Sequence, residues 1–199
     1  NKWLSDLKAD QRHDGRVPRI IPDTYSNGDY RTAATGWADA SVIIPWNHYM
    51  AFGNVNILEQ QYDSMKGWVD YMVSQSKDRG WLWNNGSHYG DWLFYSLSND
   101  PGGQSAVTSS HLVAQCFFAN SADLVSRTAK LLGKQKDADD YAEIASKLRK
   151  AYINEYVTPN GLISSDTQTA YVLALQFNML PEHLRAQAVD RLVENIKRY

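Results

Sequence analysis

The sequence predicts an all-α protein, and three observations carry that reading. Apolar residues recur at three-and-four spacing along several long segments, the period of a helix with one buried face. No stretch sustains the apolar–polar alternation of a half-buried strand. The helical segments are joined alternately by short turns and by long connections rich in aromatic, Gly and Asp residues. A toroid of helical hairpins has this pattern, with short turns closing one rim and long loops shaping a pocket at the other. About seven helices are expected.

Taken in order, the first ten residues read as the end of a helix. From His13 to Thr35 the signals are all for irregular structure, with Asp14-Gly15, Pro18, Pro22 and Asn27-Gly28. Connections of about twenty residues without regular structure are uncommon and often functional. Helix is expected from about Trp37 to Phe52, kinked or divided at Pro45, which removes a backbone donor. The next helix is the clearest, because Ile57, Leu58, Tyr62, Met65, Trp68, Val69 and Met72 fall on one face. Residues 79–104 form a second long aromatic loop. Helix returns from about Ser105 to Leu132 and stops at Gly133, the residue favoured for a left-handed cap. Another runs from about Asp137 to Tyr156, and Thr158-Pro159-Asn160-Gly161 turns the chain. A helix covers about Asp166 to Phe177, and the last begins after Pro181, suited to a first turn.

The chain of 199 residues is long enough for one core. Hydrophobic residues at 43% and charged residues at 21% place it among globular chains and exclude a disordered one. A net charge of -2, with both signs interspersed, argues against a nucleic-acid partner. Apolar runs are short, as in Ser41-Val42-Ile43-Ile44-Pro45-Trp46, so no membrane span is expected. Cys116 is the only cysteine, which excludes an internal disulfide and a thiolate zinc cluster. His13, His48, His88, His111 and His183 show no ligand spacing, and no phosphate loop, dinucleotide fingerprint or nucleophile elbow is present, so neither metal nor cofactor is expected. Cytoplasmic, periplasmic and secreted locations are all compatible with this composition. The chain opens at Asn1 directly in a helical stretch and stops at Tyr199 with the pattern still running. Residues 1–199 therefore read as a single segment truncated at both ends.

Seven Trp and twelve Tyr are many for a helical chain of this size. They can be ordinary core residues or faces for sugar rings, whose axial C–H groups meet the negative face of the aromatic quadrupole. Two clusters favour the second use. In Gly36-Trp37-Ala38-Asp39-Ala40, Trp37 could wall a sugar and Asp39 accept from its hydroxyls. Stabilisation by the helix N-terminus would equally explain Asp39. His88-Tyr89-Gly90-Asp91-Trp92, in the second long loop, repeats the combination of glycine, acid and tryptophan and adds His88, Asp91 and Trp92 as candidate contacts. A sugar pocket needs several such groups converging from different segments. Ser164 to Tyr171 opens a helix, where Ser165 or Asp166 as N-cap explains the pattern and Gln168 could face the pocket.

An ordered set of motifs resembles the bacterial alpha-L-rhamnosidases along nearly the whole chain. It comprises Trp3-Leu4-Ser5-Asp6-Leu7, Asp14-Gly15-Arg16-Val17-Pro18, Gly36-Trp37-Ala38-Asp39-Ala40, Pro45-Trp46-Asn47-His48-Tyr49, Tyr62-Asp63-Ser64-Met65-Lys66-Gly67-Trp68-Val69, Gly90-Asp91-Trp92-Leu93 and Asp166-Thr167-Gln168-Thr169-Ala170. The chain departs from the family at Gly53-Asn54, where Gly-Asp is usual. The resemblance implies part of an (α/α)6 six-hairpin barrel and release of terminal alpha-L-rhamnose from a rhamnose-containing oligosaccharide or glycoside, with inversion. It implies a general acid upstream and a general base downstream of this segment, hence no catalytic residue within it. The segment alone should be inactive. Trp37 and Trp92 resemble tryptophans lining the rhamnose subsite. Seven helices cannot close a ring of twelve, so the chain should pack on the remainder of the barrel, and alone it should expose apolar edges and fold poorly. The alternatives are another six-hairpin glycosidase or phosphorylase, or a non-catalytic helical carbohydrate-binding domain.

Overall fold

The computed structural model describes residues 2–24, 33–91 and 108–198. Seven α-helices are present among them: α1 (Lys2–Asp10), α2 (Ala40–Phe52), α3 (Val55–Ser76), α4 (Ser110–Leu131), α5 (Gln135–Tyr156), α6 (Gln168–Gln176) and α7 (Glu182–Arg198). A short 3-10 turn, Lys77–Arg79, extends α3. The β-pairing among the described residues is an isolated bridge between Val157 and Ile163. No described helix is long and apolar enough to cross a membrane.

Local chemistry sets the helix ends. Gly53 closes α2 in the left-handed region at φ 65°, donating its N–H to the Tyr49 carbonyl, and Asn54 caps α3 by accepting from the Asn56 N–H. The expected face of α3 is the buried one: Ile57, Leu58, Met65, Trp68, Val69 and Met72 are almost wholly excluded from solvent. Each such side chain contributes about 1.5–3 kcal/mol of burial. Gly133 ends α4 at φ 69°, as its position implied.

Some boundaries differ from expectation. α2 begins at Ala40, because residues 35–39 are wound into turns instead of helix. It then runs unbroken through Pro45, which lies in its second turn where few helical hydrogen bonds precede it. α4 starts at Ser110 behind the cap Ser109, and the expected start at Ser105 lies outside the described residues. At α6 the cap is Thr167, whose Oγ1 accepts from the Ala170 N–H at 3.2 Å, while Ser165 and Asp166 stand at positive φ in the turn before it.

The helices form two rows. α4 packs on both α2 and α6, while α3, α5 and α7 pack on the outside of that row and α1 touches α2 and α3. Accordingly α4 is buried on most sides, whereas α5, of equal length, buries one face. The connections obey the same alternation. Those leading from the outer to the inner row, 11–39, 80–109 and 157–167, are long, and those leading back out are short. The described ends of the long connections therefore lie at one rim.

Candidate functional site

The three long connections are tied to one another. Arg19 in the first donates from Nη1 to the Tyr89 hydroxyl at 2.9 Å and from Nη2 to the Ser87 carbonyl at 3.2 Å, both in the second. The Thr35 N–H donates to Nδ1 of His88 at 3.3 Å. The second connection meets the third where the Ser109 N–H donates to Ser165 Oγ at 3.0 Å and the hydroxyls of Thr108 and Thr167 lie 2.6 Å apart.

Trp37 sits at the junction of the first two. The residue is 38% exposed, and its ring lies 4.6 Å, centroid to centroid, from the Tyr89 ring at a 47° tilt. The Arg19 guanidinium covers the Tyr89 ring at 4.9 Å. A half-exposed indole beside a phenol and a cation is a surface on which the apolar face of a sugar can pack.

Asp39 is not at that surface. The expectation that it accepts from sugar hydroxyls is corrected by its burial, with 0% exposure. Oδ1 accepts from Trp68 Nε1–H at 2.9 Å and from Ser121 Oγ–H at 2.6 Å, and Oδ2 accepts from the Gly36 N–H at 2.8 Å. Burial pushes its pKa up, while the bonds from Ser121, Trp68 and Gly36 pull it back. Nor does its side chain cap α2. It joins the Gly36 turn to α3 and α4.

His88 is likewise occupied. Because the Thr35 amide and hydroxyl both point to Nδ1, at 3.3 and 3.0 Å, that nitrogen is the acceptor and Nε2–H donates to the Asn85 carbonyl at 3.0 Å. The ring stands edge-on to Trp83 at 4.3 Å and to His111 at 6.0 Å. Burial lowers its pKa to about 4, and the charges of His111 and Arg19 act in the same direction. His88 is thus a neutral wedge between loops, with both ring nitrogens used, and not a free sugar contact.

Asp91 accepts from Thr108 Oγ1–H at 2.7 Å through Oδ2, and Oδ1 has no hydrogen-bond partner. Thr108 spends its proton on Asp91, so Thr167 donates to Thr108, and a chain of hydroxyls runs from the α6 cap to the carboxylate. Gln168 follows that cap as the first residue of α6. Trp92 lies outside the described residues. Among the described residues no three His, Cys, Asp or Glu side chains converge as metal ligands. A groove of about 370 Å³ along α1 and α3 is lined by Lys8, Arg12 and Asp63 among others. Its charges are largely paired, as Arg12 with Asp23 at 2.6 Å and Lys66 with Asp70 at 3.1 Å.

Sequence reasoning misses Tyr89 and Arg19. Tyr89 stands inside the second cluster and could have been included by its neighbours. Arg19 follows Pro18 in an irregular stretch and carries no local signal.

A family model described as the bacterial alpha-L-rhamnosidase six-hairpin glycosidase domain matches residues 1–199. An alpha-L-rhamnosidase of Streptomyces avermitilis is 37% identical over 98% of this chain and 17% of its own length. One from Formosa agariphila is 35% identical over 98% of this chain and 20% of its own. This chain therefore spans a fifth or less of the length of these curated relatives. Among solved structures, the Streptomyces avermitilis alpha-L-rhamnosidase complexed with L-rhamnose superposes with a TM-score of 0.86 at 36% identity, covering 99% of this chain and 18% of that one. The native enzyme from Aspergillus terreus gives a TM-score of 0.89 at 32% identity, covering 98% and 22%.

Proposed function

The chain belongs to the bacterial alpha-L-rhamnosidase six-hairpin glycosidase family, and from that membership we propose that it forms part of the catalytic barrel of an alpha-L-rhamnosidase. Its substrate is a glycoside or oligosaccharide ending in alpha-L-rhamnose, in keeping with its Streptomyces avermitilis neighbour, which is complexed with L-rhamnose. The supporting observation is local: at the rim where the long loops meet, Trp37 presents a half-exposed ring against Tyr89. An aromatic wall suits rhamnose, whose 6-deoxy methyl group is apolar.

In this reading Trp37 and Trp92 wall the rhamnose subsite. Asp91, whose Oδ1 is buried and without a hydrogen-bond partner, accepts from a sugar hydroxyl inserted against it. An inverting hydrolysis requires two carboxyl groups about 6.5–9.5 Å apart, one protonating the leaving oxygen and one activating water. Asp39 suits neither role, since both its oxygens are engaged inside the core. We therefore assign the proton-transfer pair to parts of the barrel outside these 199 residues, and expect this chain to be inactive without them.

The test is hydrolysis of aryl alpha-L-rhamnoside by the complete polypeptide, compared with the aryl glucoside and mannoside, with the anomer of the first product read by proton NMR. Preference for the rhamnoside and release of the inverted anomer are expected. Equal or better turnover of another glycoside would replace this reading with a six-hairpin enzyme of different specificity. Rhamnose binding without hydrolysis of any glycoside would replace it with a binding domain.

A further inference from the structure

We propose that Asp39 is a positioning residue, which holds the Trp37 ring in the orientation needed for a sugar to pack on it; this rests on Trp37 being a wall of the rhamnose site.

Trp37 lies between two residues that are locked together, because the Gly36 N–H donates to Oδ2 of Asp39 at 2.8 Å. This is the backward-reaching half of a capping box, with a carboxylate three residues on closing the amide at the start of a turn. The other oxygen is fastened to two separate helices, through the Trp68 indole of α3 and the Ser121 hydroxyl of α4. The turn carrying Trp37 is thereby referenced to the core of the hairpin array. Trp37 is 38% exposed and its ring leans on Tyr89, so core packing alone does not hold it, and its direction depends on the backbone beneath as well as on that neighbour. The Asp39 carboxylate closes the Gly36 turn and makes no capping bond to α2 itself. All three partners of the carboxylate are donors. Asparagine would turn an NH2 group toward at least one of them and lose the lock.

A wall that binds ground state and transition state alike raises KM when displaced and leaves kcat nearly unchanged. The experiment is steady-state kinetics on an aryl alpha-L-rhamnoside with the complete polypeptide, for Trp37→Ala, Asp39→Asn, Ser121→Ala and the two doubles containing Trp37→Ala. Asp39→Asn should raise KM about tenfold with kcat within about threefold of wild type, and Ser121→Ala should raise KM about threefold. Neither should add to the effect of Trp37→Ala, because the ring they orient is gone. If Trp37→Ala raises KM while Asp39→Asn does not, or if the Asp39 and Ser121 effects persist undiminished without the indole, the positioning role is overturned and the wall stands. If Trp37→Ala leaves KM unchanged, the wall itself is wrong and the positioning role falls with it. Should Asp39→Asn fail to fold, the Ser121→Ala pair decides, since it removes one of Oδ1's two donors and leaves the carboxylate held by Trp68 and Gly36.

Discussion

Thr35 and His88, 53 positions apart, meet at the loop rim with the Thr35 amide 3.3 Å from Nδ1 of the imidazole. The contact needs a neutral ring, because a protonated Nδ1 would face two donors. The His88 pKa is lowered from 6.5 to about 4. Below 6.5 the unfolded chain takes up a proton that the folded one refuses, so stability is full above pH 6.5 and declines as pH falls toward 4. The loss should reach about 3 kcal/mol at most. Urea midpoints measured from pH 7 to pH 4 check this: the wild-type curve should fall more steeply than that of His88→Gln, and parallel curves would contradict it.

Gly15 and Gly36 have positive φ for different reasons. A Cβ on Gly15, at φ 93°, would stand 2.0 Å from the carbonyl oxygen of Gly67, so α1's loop rests directly on the backbone of α3. At Gly36, φ 83°, the space is open. Gly15→Ala should therefore cost about 3 kcal/mol or more, from clash and backbone strain together, and Gly36→Ala only about 1 kcal/mol from strain. Equal melting shifts for the two would show that the close approach is not felt.

Gln115 is fully buried on α4 and satisfies three backbone groups at once. Oε1 accepts from the Trp83 N–H at 3.0 Å, and Nε2 donates to the carbonyls of Trp81 at 3.0 Å and Leu148 at 3.2 Å. Gln115→Leu keeps the bulk and strands those groups, at a cost of about 2–4 kcal/mol. Gln115→Glu keeps the acceptor and loses both donors, so it should be no better. Denaturant unfolding of the two variants checks this, and a stability loss under about 1 kcal/mol for Gln115→Leu would be the wrong outcome.

Val189, Val193 and Ile196 form an exposed stripe at helical spacing on α7, at 46%, 42% and 54% exposure. If that face packs on further barrel helices, the 199 residues alone should self-associate, and Val193→Glu should make them more monomeric. In the complete polypeptide the same change should lower stability by about 1–3 kcal/mol. Sedimentation of the isolated chain and melts of the complete one read the two effects. A monomeric isolated chain with a sharp two-state melt, indifferent to Val193→Glu, would refute it.

Much of the fold is legible because it is written in short-range pattern. The α3 face from Ile57 to Met72, the stops at Gly53 and Gly133, and the contrast between long and short connections follow from periods and caps within a few residues. The starts of α2 and α6 are less legible, because turns compete with helix there. Asp39 could continue either, and its side chain's bonds to the local Gly36 amide and to the distant Trp68 and Ser121 favour the turn.

By itself the sequence determined the all-α class, the order of the helices, the two aromatic clusters and the family, since each depends on neighbours in the chain. Only the tertiary structure decided what the acid and the imidazole in those clusters do. Ser121 is 82 positions from Asp39 and Thr35 is 53 from His88. Whether a polar side chain meets solvent or an internal donor depends on which helices pack together, and residues so far apart leave no local trace of that pairing.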